Sequence, residues 1–409
     1  MTSFSRSFAP KGACLLAAGL LLAGCGCSGD GSAAAEAKAA AAAAASSYAE
    51  GDYRTAVICC RKSLAHDAGQ VDVLVTLARA ELASGNVTAA AEVAAQARER
   101  LPADPGIRQL DAEIAFQGGD LDAAFAAYTG IAEDQSLPAE VRSLGWSGRG
   151  AVGLKRIGAV SSNALIANDI ARLDLMHAIR LDRRNASAYY NLAFFYSNED
   201  DGYKRAAVDL YERYLGLMGD SPDVHVARAR EAMETLRAEL AGSLDQLAGS
   251  RPRNPGSCAS FMRKADAAFA KFESQRRTAP AKAKPFLTEA TANYEKAYEQ
   301  DALSFEALSR LAVCYARQGT EAGRKKAFDC AVKACAVRRG DGAALVDAAR
   351  MAMNMNKPML AVKMYSKAVA LKWNDAKALD GLADALDRCG LKDKAAGYRK
   401  FRASLSAGK

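Results

Sequence analysis

Aromatic residues are scarce in this 409-residue chain, at 7%, and only ten prolines, three histidines and two tryptophans occur. Each shortage excludes something. A sheet needs β-branched and aromatic side chains to pack its pleated faces, and runs of such residues are few here. Few prolines leave long stretches able to be helical without interruption. His66, His177 and His225 stand far apart in the sequence, so neither a zinc ligand set nor a histidine-centred base suggests itself. There is no GxSxG, no Walker glycine loop, no HExxH and no GxGxxG opening a helix after a strand. The paired acids Glu133-Asp134 and Glu199-Asp200-Asp201 fall where turns are expected, and solvation accounts for them. The expectation is a protein without catalysis, cofactor or bound metal.

What the chain has in abundance is alanine, which contributes much of its 50% apolar content. Alanine is the best helix former and lets helices approach closely, so the composition predicts an all-α fold of packed helices. The length implies two or three domains. Ten cysteines (Cys14, Cys25, Cys27, Cys59, Cys60, Cys258, Cys314, Cys330, Cys335 and Cys389) show no CxxC pair and no regular spacing. Most read as small buried thiols; a bridge such as Cys314 with Cys330 stays open.

The first 27 residues carry an address. Arg6 and Lys11 precede an apolar run from Ala13 to Ala23, far short of the roughly 20 residues that span a bilayer, which is the form of a signal-peptide core. It ends in Leu22-Ala23-Gly24-Cys25, which resembles the lipobox of bacterial lipoproteins. That resemblance implies cleavage before Cys25, diacylglycerol on its thiol and an acylated new amine, and several acyl chains together hold a protein durably to a membrane. Gly26, where relatives retained at the inner membrane carry aspartate, implies the periplasmic face of the outer membrane. Beyond Cys25 the chain should lie outside the cytoplasm, and nucleic acid is not an expected partner.

Gly51, Gly85 and Gly119 recur every 34 residues, in the frames Glu50-Gly51-Asp52-Tyr53, Ser84-Gly85-Asn86-Val87 and Gly118-Gly119-Asp120-Leu121. A glycine there ends one helix and the polar residue after it caps the next. Five residues on come Ala56, Ala90 and Ala124, small enough for tight helix crossing. The first helix has its clearest copy in Tyr189-Tyr190-Asn191-Leu192-Ala193-Phe194-Phe195-Tyr196. The second recurs as Ala290, Tyr294, Ala297, as Ala361, Tyr365, Ala368, and as Ala207, Tyr211, Tyr214. The pattern resembles the tetratricopeptide repeat, a 34-residue helix–turn–helix unit. The resemblance implies an α-solenoid that binds proteins along the face lined by each unit's first helix.

Nine candidate units follow: 37–70, 71–104, 105–138, 139–185, 186–221, 259–304, 305–341, 342–375 and 376–409. The first is degenerate, with alanine in place of large residues. The fourth carries an insertion around Gly153 to Asn163, the sixth a long loop through Ala279-Pro280, and the seventh a few extra residues near Thr320-Glu321. Pro222 to Leu240 reads as a helix closing the first stack, with Val226, Ala229, Met233 and Leu236 on one side. The punctuated stretch after it reads as a linker. The expected layout is a signal peptide (1–24), a lipidated tether (25–36), a first lobe with its closing helix (37–241), a linker (242–258) and a second lobe (259–409).

Residues 25–241 hold 22 basic against 30 acidic side chains, and 242–409 hold 31 against 17. The basic half, with Arg324-Lys325-Lys326 and Arg338-Arg339, suits a solvated face, an anionic partner or surface, or docking onto the acidic half. Met351, Met353, Met355 and Met359 are read as core filling rather than a copper site. For the partner groove, the resemblance points to Tyr190, Asn191 and Phe194, with Asn191 matching an asparagine that can bond a peptide backbone. The alternative is that the two rings pack under the helix that follows. The reading is a lipid-anchored scaffold in a bacterial envelope assembly of the outer-membrane biogenesis, pilus or polysaccharide-export type. The rival is an enzyme or metal-handling protein with its site in the fourth-unit insertion, where the sequence offers mainly Asp169.

Overall fold

The computed structural model of the protein describes residues 30–157, 169–221, 223–249 and 253–406. Cys25, the leader before it and most of the fourth-unit insertion lie outside the described residues. Among the described residues every regular element is a helix, and the expected hairpins are all present. They are α1 (Asp30–Glu50) with α2 (Tyr53–His66), α3 (Val71–Ala83) with α4 (Val87–Arg100), α5 (Pro105–Gly118) with α6 (Leu121–Glu133), α7 (Ala139–Ile157) with α8 (Asp169–Leu181), and α9 (Ala186–Ser197) with α10 (Asp201–Met218). A single helix, α11 (Val224–Ala248), follows. Then come α12 (Pro255–Gln275) with α13 (Pro280–Gln300), α14 (Phe305–Arg317) with α15 (Glu321–Val337), α16 (Gly342–Asn354) with α17 (Pro358–Leu371), and α18 (Ala376–Arg388) with α19 (Lys392–Ser404). None of these helices is long and apolar enough to cross a membrane. The fold is an all-α solenoid.

The spacing signals work as their chemistry requires. Gly51, Gly85 and Gly119 adopt φ of 84°, 86° and 89°, the left-handed region in which a Cβ is unfavourable. Asp52 caps α2 by accepting from the Thr55 amide at 3.1 Å, and Asp120 caps α6 by accepting from Ala123 at 3.0 Å. Asn86 departs from this pattern. Its amide donates to Glu81 Oε2 at 2.8 Å, while Arg61 donates to Glu81 Oε1 at 2.8 Å. Ala56, Ala90 and Ala124 are wholly buried at the helix crossings, as are Ala290, Tyr294 and Ala297.

Several expectations are corrected. The long loop expected at Ala279-Pro280 is four residues, 276–279; the extra length lies in α12 and α13, each of 21 residues. Both begin on a proline, where the missing N–H is one the first turn leaves unused anyway. The extra residues near Thr320 lengthen α15 to 17 residues, and Thr320 caps it. The closing helix continues to Ala248 and α12 starts at Pro255, so most of the expected linker is helical. Residues 30–36 of the expected tether belong to α1. The seven cysteines among the described residues are free thiols, so Cys314 and Cys330 are not bridged.

Contacts group the chain into two compact units. One comprises the residues up to Leu192 with Arg213–Arg230, the other Ala193–Glu212 with Glu231 onward. The division therefore runs through α9, α10 and α11 and not through 242–258. In the first unit, α1 lies against α3, α3 against α5 and α5 against α7, so the first helices of successive hairpins form an inner wall. In the second, the long α12–α13 hairpin packs Ala265, Phe272, Leu287 and Tyr294 against Leu311 and Tyr315 of α14.

Candidate peptide groove in the first unit

On the inner wall, α5, α7 and α9 surround a cavity of about 30 Å³, closed from behind by Tyr128 of α6. Its polar lining is Gln109 and Glu113 from α5, Ser147 from α7, and Ser187 and Asn191 from α9; Phe116 supplies an apolar edge. Glu113 and Asn191 are each 5% exposed, so both residues are largely buried. Tyr128 can sit where it does because residue 148 is glycine. A Cβ there would fall 2.2 Å from the ring.

The Gln109 amide donates to Glu113 Oε1 at 2.7 Å. The hydroxyls of Ser147 and Ser187 meet at 3.1 Å, and Ser187 donates to Asn185 Oδ1 at 2.7 Å. Asn185 in turn caps α9 through the Ala188 amide and reaches Ser143 Oγ on α7 at 2.8 Å. This chain of bonds sets α9 against α7 and so fixes where Asn191 stands. Burial pushes the Glu113 carboxyl above its ordinary range, while Arg79 and the Gln109 bond pull it back. The Tyr48 and Tyr128 hydroxyls are raised too, by burial first, with Glu113 adding to both. Tyr48, Arg79, Glu113 and Tyr128 therefore share one electrostatic neighbourhood along the wall.

Of the residues expected to line the groove, Asn191 faces this cavity and makes no hydrogen bond of its own among the described residues. Tyr190 is half-buried, with its ring 5.1 Å from Tyr214 and 5.0 Å from His225 at the start of α11. Phe194 is also half-buried, and its carbonyl accepts from Ser197 Oγ and Asn198 Nδ2; it falls in the second unit. The structure thus places Tyr190 and Asn191 in one unit and does not group Phe194 with them.

Gln109 and Glu113 were not singled out in the sequence, yet a signal existed. They are the fifth and ninth residues of unit three, the register that Tyr190 and Phe194 hold in unit five. The acid expected of the rival reading, Asp169, is taken up by Arg172 in a buried ion pair. Among the described residues no three His, Cys, Asp or Glu side chains come together as a metal ion would need. In the basic half, Arg338 pairs with Glu306 at 2.6 Å and Arg339 with Asp201 at 3.2 Å, whereas Arg324, Lys325 and Lys326 are exposed on α15.

Residues 47–114 match the family model described as tetratricopeptide repeat, a span that includes Gly51, Gly85, Gln109 and Glu113. No curated protein sequence matches the chain. Among solved structures, the Cut9–Hcn1 hetero-tetramer of the APC/C is similar at 14% identity over 92% of this chain and 81% of that one, with a TM-score of 0.36. Pseudomonas aeruginosa pilF is similar at 17% identity over 51% and 92%, with a TM-score of 0.36. The P58(IPK) TPR domain is similar at 15% over 87% and 98%, with a TM-score of 0.23. Likenesses this distant say nothing about partner or activity. By its own helix pairing the protein is an all-α solenoid of helical hairpins, and over residues 47–114 those hairpins carry the tetratricopeptide repeat.

Proposed function

We propose that this protein is a non-enzymatic scaffold whose first unit takes a segment of a partner protein along its inner wall. The carrying observation is Asn191, whose amide lines a polar recess of the inner wall and has no bond of its own among the described residues. A peptide backbone laid along the wall offers both a donor and an acceptor to such an amide. Acylation at Cys25 would hold the scaffold to the periplasmic face of the outer membrane, and the partner would belong to an envelope assembly of the outer-membrane biogenesis, pilus or polysaccharide-export type. The exposed Arg324-Lys325-Lys326 cluster offers a second, electrostatic contact to an anionic partner or surface, sensitive to salt.

The test has two arms. Replacing Cys25 with Ser should leave an unprocessed precursor that takes up no fatty-acid label; undiminished labelling sinks the anchor. Crosslinking from native membranes should capture a partner in the unaltered protein and lose it in Asn191→Ala, at an unchanged melting temperature. Equal capture by both proteins removes the groove.

A further inference from the structure

Four acidic side chains are nearly fully buried among the described residues, and three of them are answered by an arginine. Glu81 accepts from Arg61 at 2.8 Å, Asp174 accepts from both arms of Arg149 at 2.9 and 2.7 Å, and Asp169 pairs with Arg172. Glu113 is the fourth. Its bonded partner is the neutral Gln109 amide, and no ion pair within 4.0 Å forms to it among the described residues. Arg79 acts on it from farther away. Lys155, which reaches Phe116 at the cavity edge, is committed to that residue: its Nζ donates to the Phe116 carbonyl at 2.9 Å and lies 4.5 Å from the ring. A buried carboxylate is costly unless paired, and in this protein the other three are.

The cavity beside Glu113 indicates what would complete it. It leaves about 30 Å³ for the centre of a water-sized group, enough to admit an ammonium. The lining offers the hydroxyls of Ser147 and Tyr128 besides the carboxylate, one acceptor for each of the three donors of an ammonium and short of the five of a guanidinium. We propose that the cavity receives a lysyl ammonium from the partner segment, with Glu113 as its counter-ion. This rests on the inner wall being the partner groove, and it names the residue by which that groove selects. The excess of acid over base in residues 25–241 adds an attractive field for such a segment.

The experiment uses the full chain and four pools of random-sequence peptides, each with Lys, Arg, Gln or Glu fixed at the central position. A hydrogen-bonded charge contact is worth roughly tenfold or more in affinity, so the Lys pool should bind the unaltered protein by at least that margin over the Gln pool. Glu113→Gln should erase the margin, while Asn191→Ala should weaken all pools alike. Peptide binding that Asn191→Ala weakens, but with no preference for Lys or with the preference intact in Glu113→Gln, overturns the proposal and leaves the groove standing. A preference for Arg over Lys overturns the donor-count argument, and the proposal with it. Binding by no pool overturns groove and proposal together. A fifth pool with acetyl-lysine at the centre removes the charge from the peptide side, so the question is answered even if Glu113→Gln fails to fold.

Discussion

The ring of Tyr190 meets the imidazole of His225 edge to face, at 5.0 Å and 72°, with Tyr214 closing on it from 5.1 Å. This relationship joins the unit-five hairpin to the first turn of α11. It makes Tyr190 part of the packing under that helix. Truncating a fully buried aromatic costs about 3–5 kcal/mol, so for the half-buried Tyr190 the Ala substitution should cost roughly 2 kcal/mol. Thermal unfolding followed by circular dichroism decides: an unchanged melt in Tyr190→Ala would return the ring to the groove as an anchor.

Arg149 illustrates a satisfied buried charge. It forks onto Asp174, reaches Glu133 at 3.2 Å and lies 4.2 Å over the Trp146 ring, which stacks on His177. Asp174→Ala leaves the guanidinium with Glu133 alone and should cost about 1.5–3 kcal/mol. Because Trp146 is one of only two tryptophans, its fluorescence should change in the same variant. A stable Asp174→Ala protein with unaltered emission would show that the network does not hold α7 to α8.

Glu113 gives a pH signature. Its carboxyl is raised in the folded state, so the folded chain holds that proton more readily than the unfolded one. Its contribution to stability is therefore present below the unfolded value and is lost as pH rises through the folded one. Relative to the unaltered protein, Glu113→Gln should melt alike near about pH 4 and higher at neutral pH. A gain confined to acid would reverse the sign and refute the assignment.

Gly85 tests the turn chemistry by itself. Its φ is 86°, and nothing lies within 4 Å of where a Cβ would be, so a substitution there strains the backbone and meets no neighbour. Gly85→Ala should cost about 1–2 kcal/mol, and Gly85→Asn less, since asparagine visits this region more readily. Chemical denaturation of the two variants separates backbone strain from a packing effect, under which Asn, the larger residue, would be the worse.

The hairpins were legible because their signals are local. Gly51, Gly85 and Gly119 need their conformation whatever surrounds them, and Ala56, Ala90 and Ala124 recur at a fixed distance from them. Misreadings arose where one residue type serves two ends. Pro255 and Pro280 look like loop punctuation, but each is the first residue of a helix. Asn86 looks like a cap, yet Glu81 draws its amide away. The candidate site was legible only in part. Asn191 was found from its neighbours in the repeat, whereas what distinguishes Glu113 is a missing arginine, a property that appears only when every buried acid can be seen with its partners. Tyr190 shows the same limit, since its fate depends on a helix that begins after the hairpin has ended.

The inner face of α1 is built from Ala37, Ala40 and Ala44, with Ser63 of α2 donating to the Ala37 carbonyl at 2.9 Å. Methyl groups bury little area, at roughly 0.8 kcal/mol per carbon, so α1 ahead of Tyr48 is held less firmly than the helices locked by tyrosine and leucine farther along. A pull on the chain from its N-terminal side would reach α1 before any other hairpin helix. Under tension α1 should peel first and lengthen the connection ahead of Gly51, while the wall carrying Glu113 and Asn191 stays folded. A thin alanine interface thus acts as a mechanical fuse.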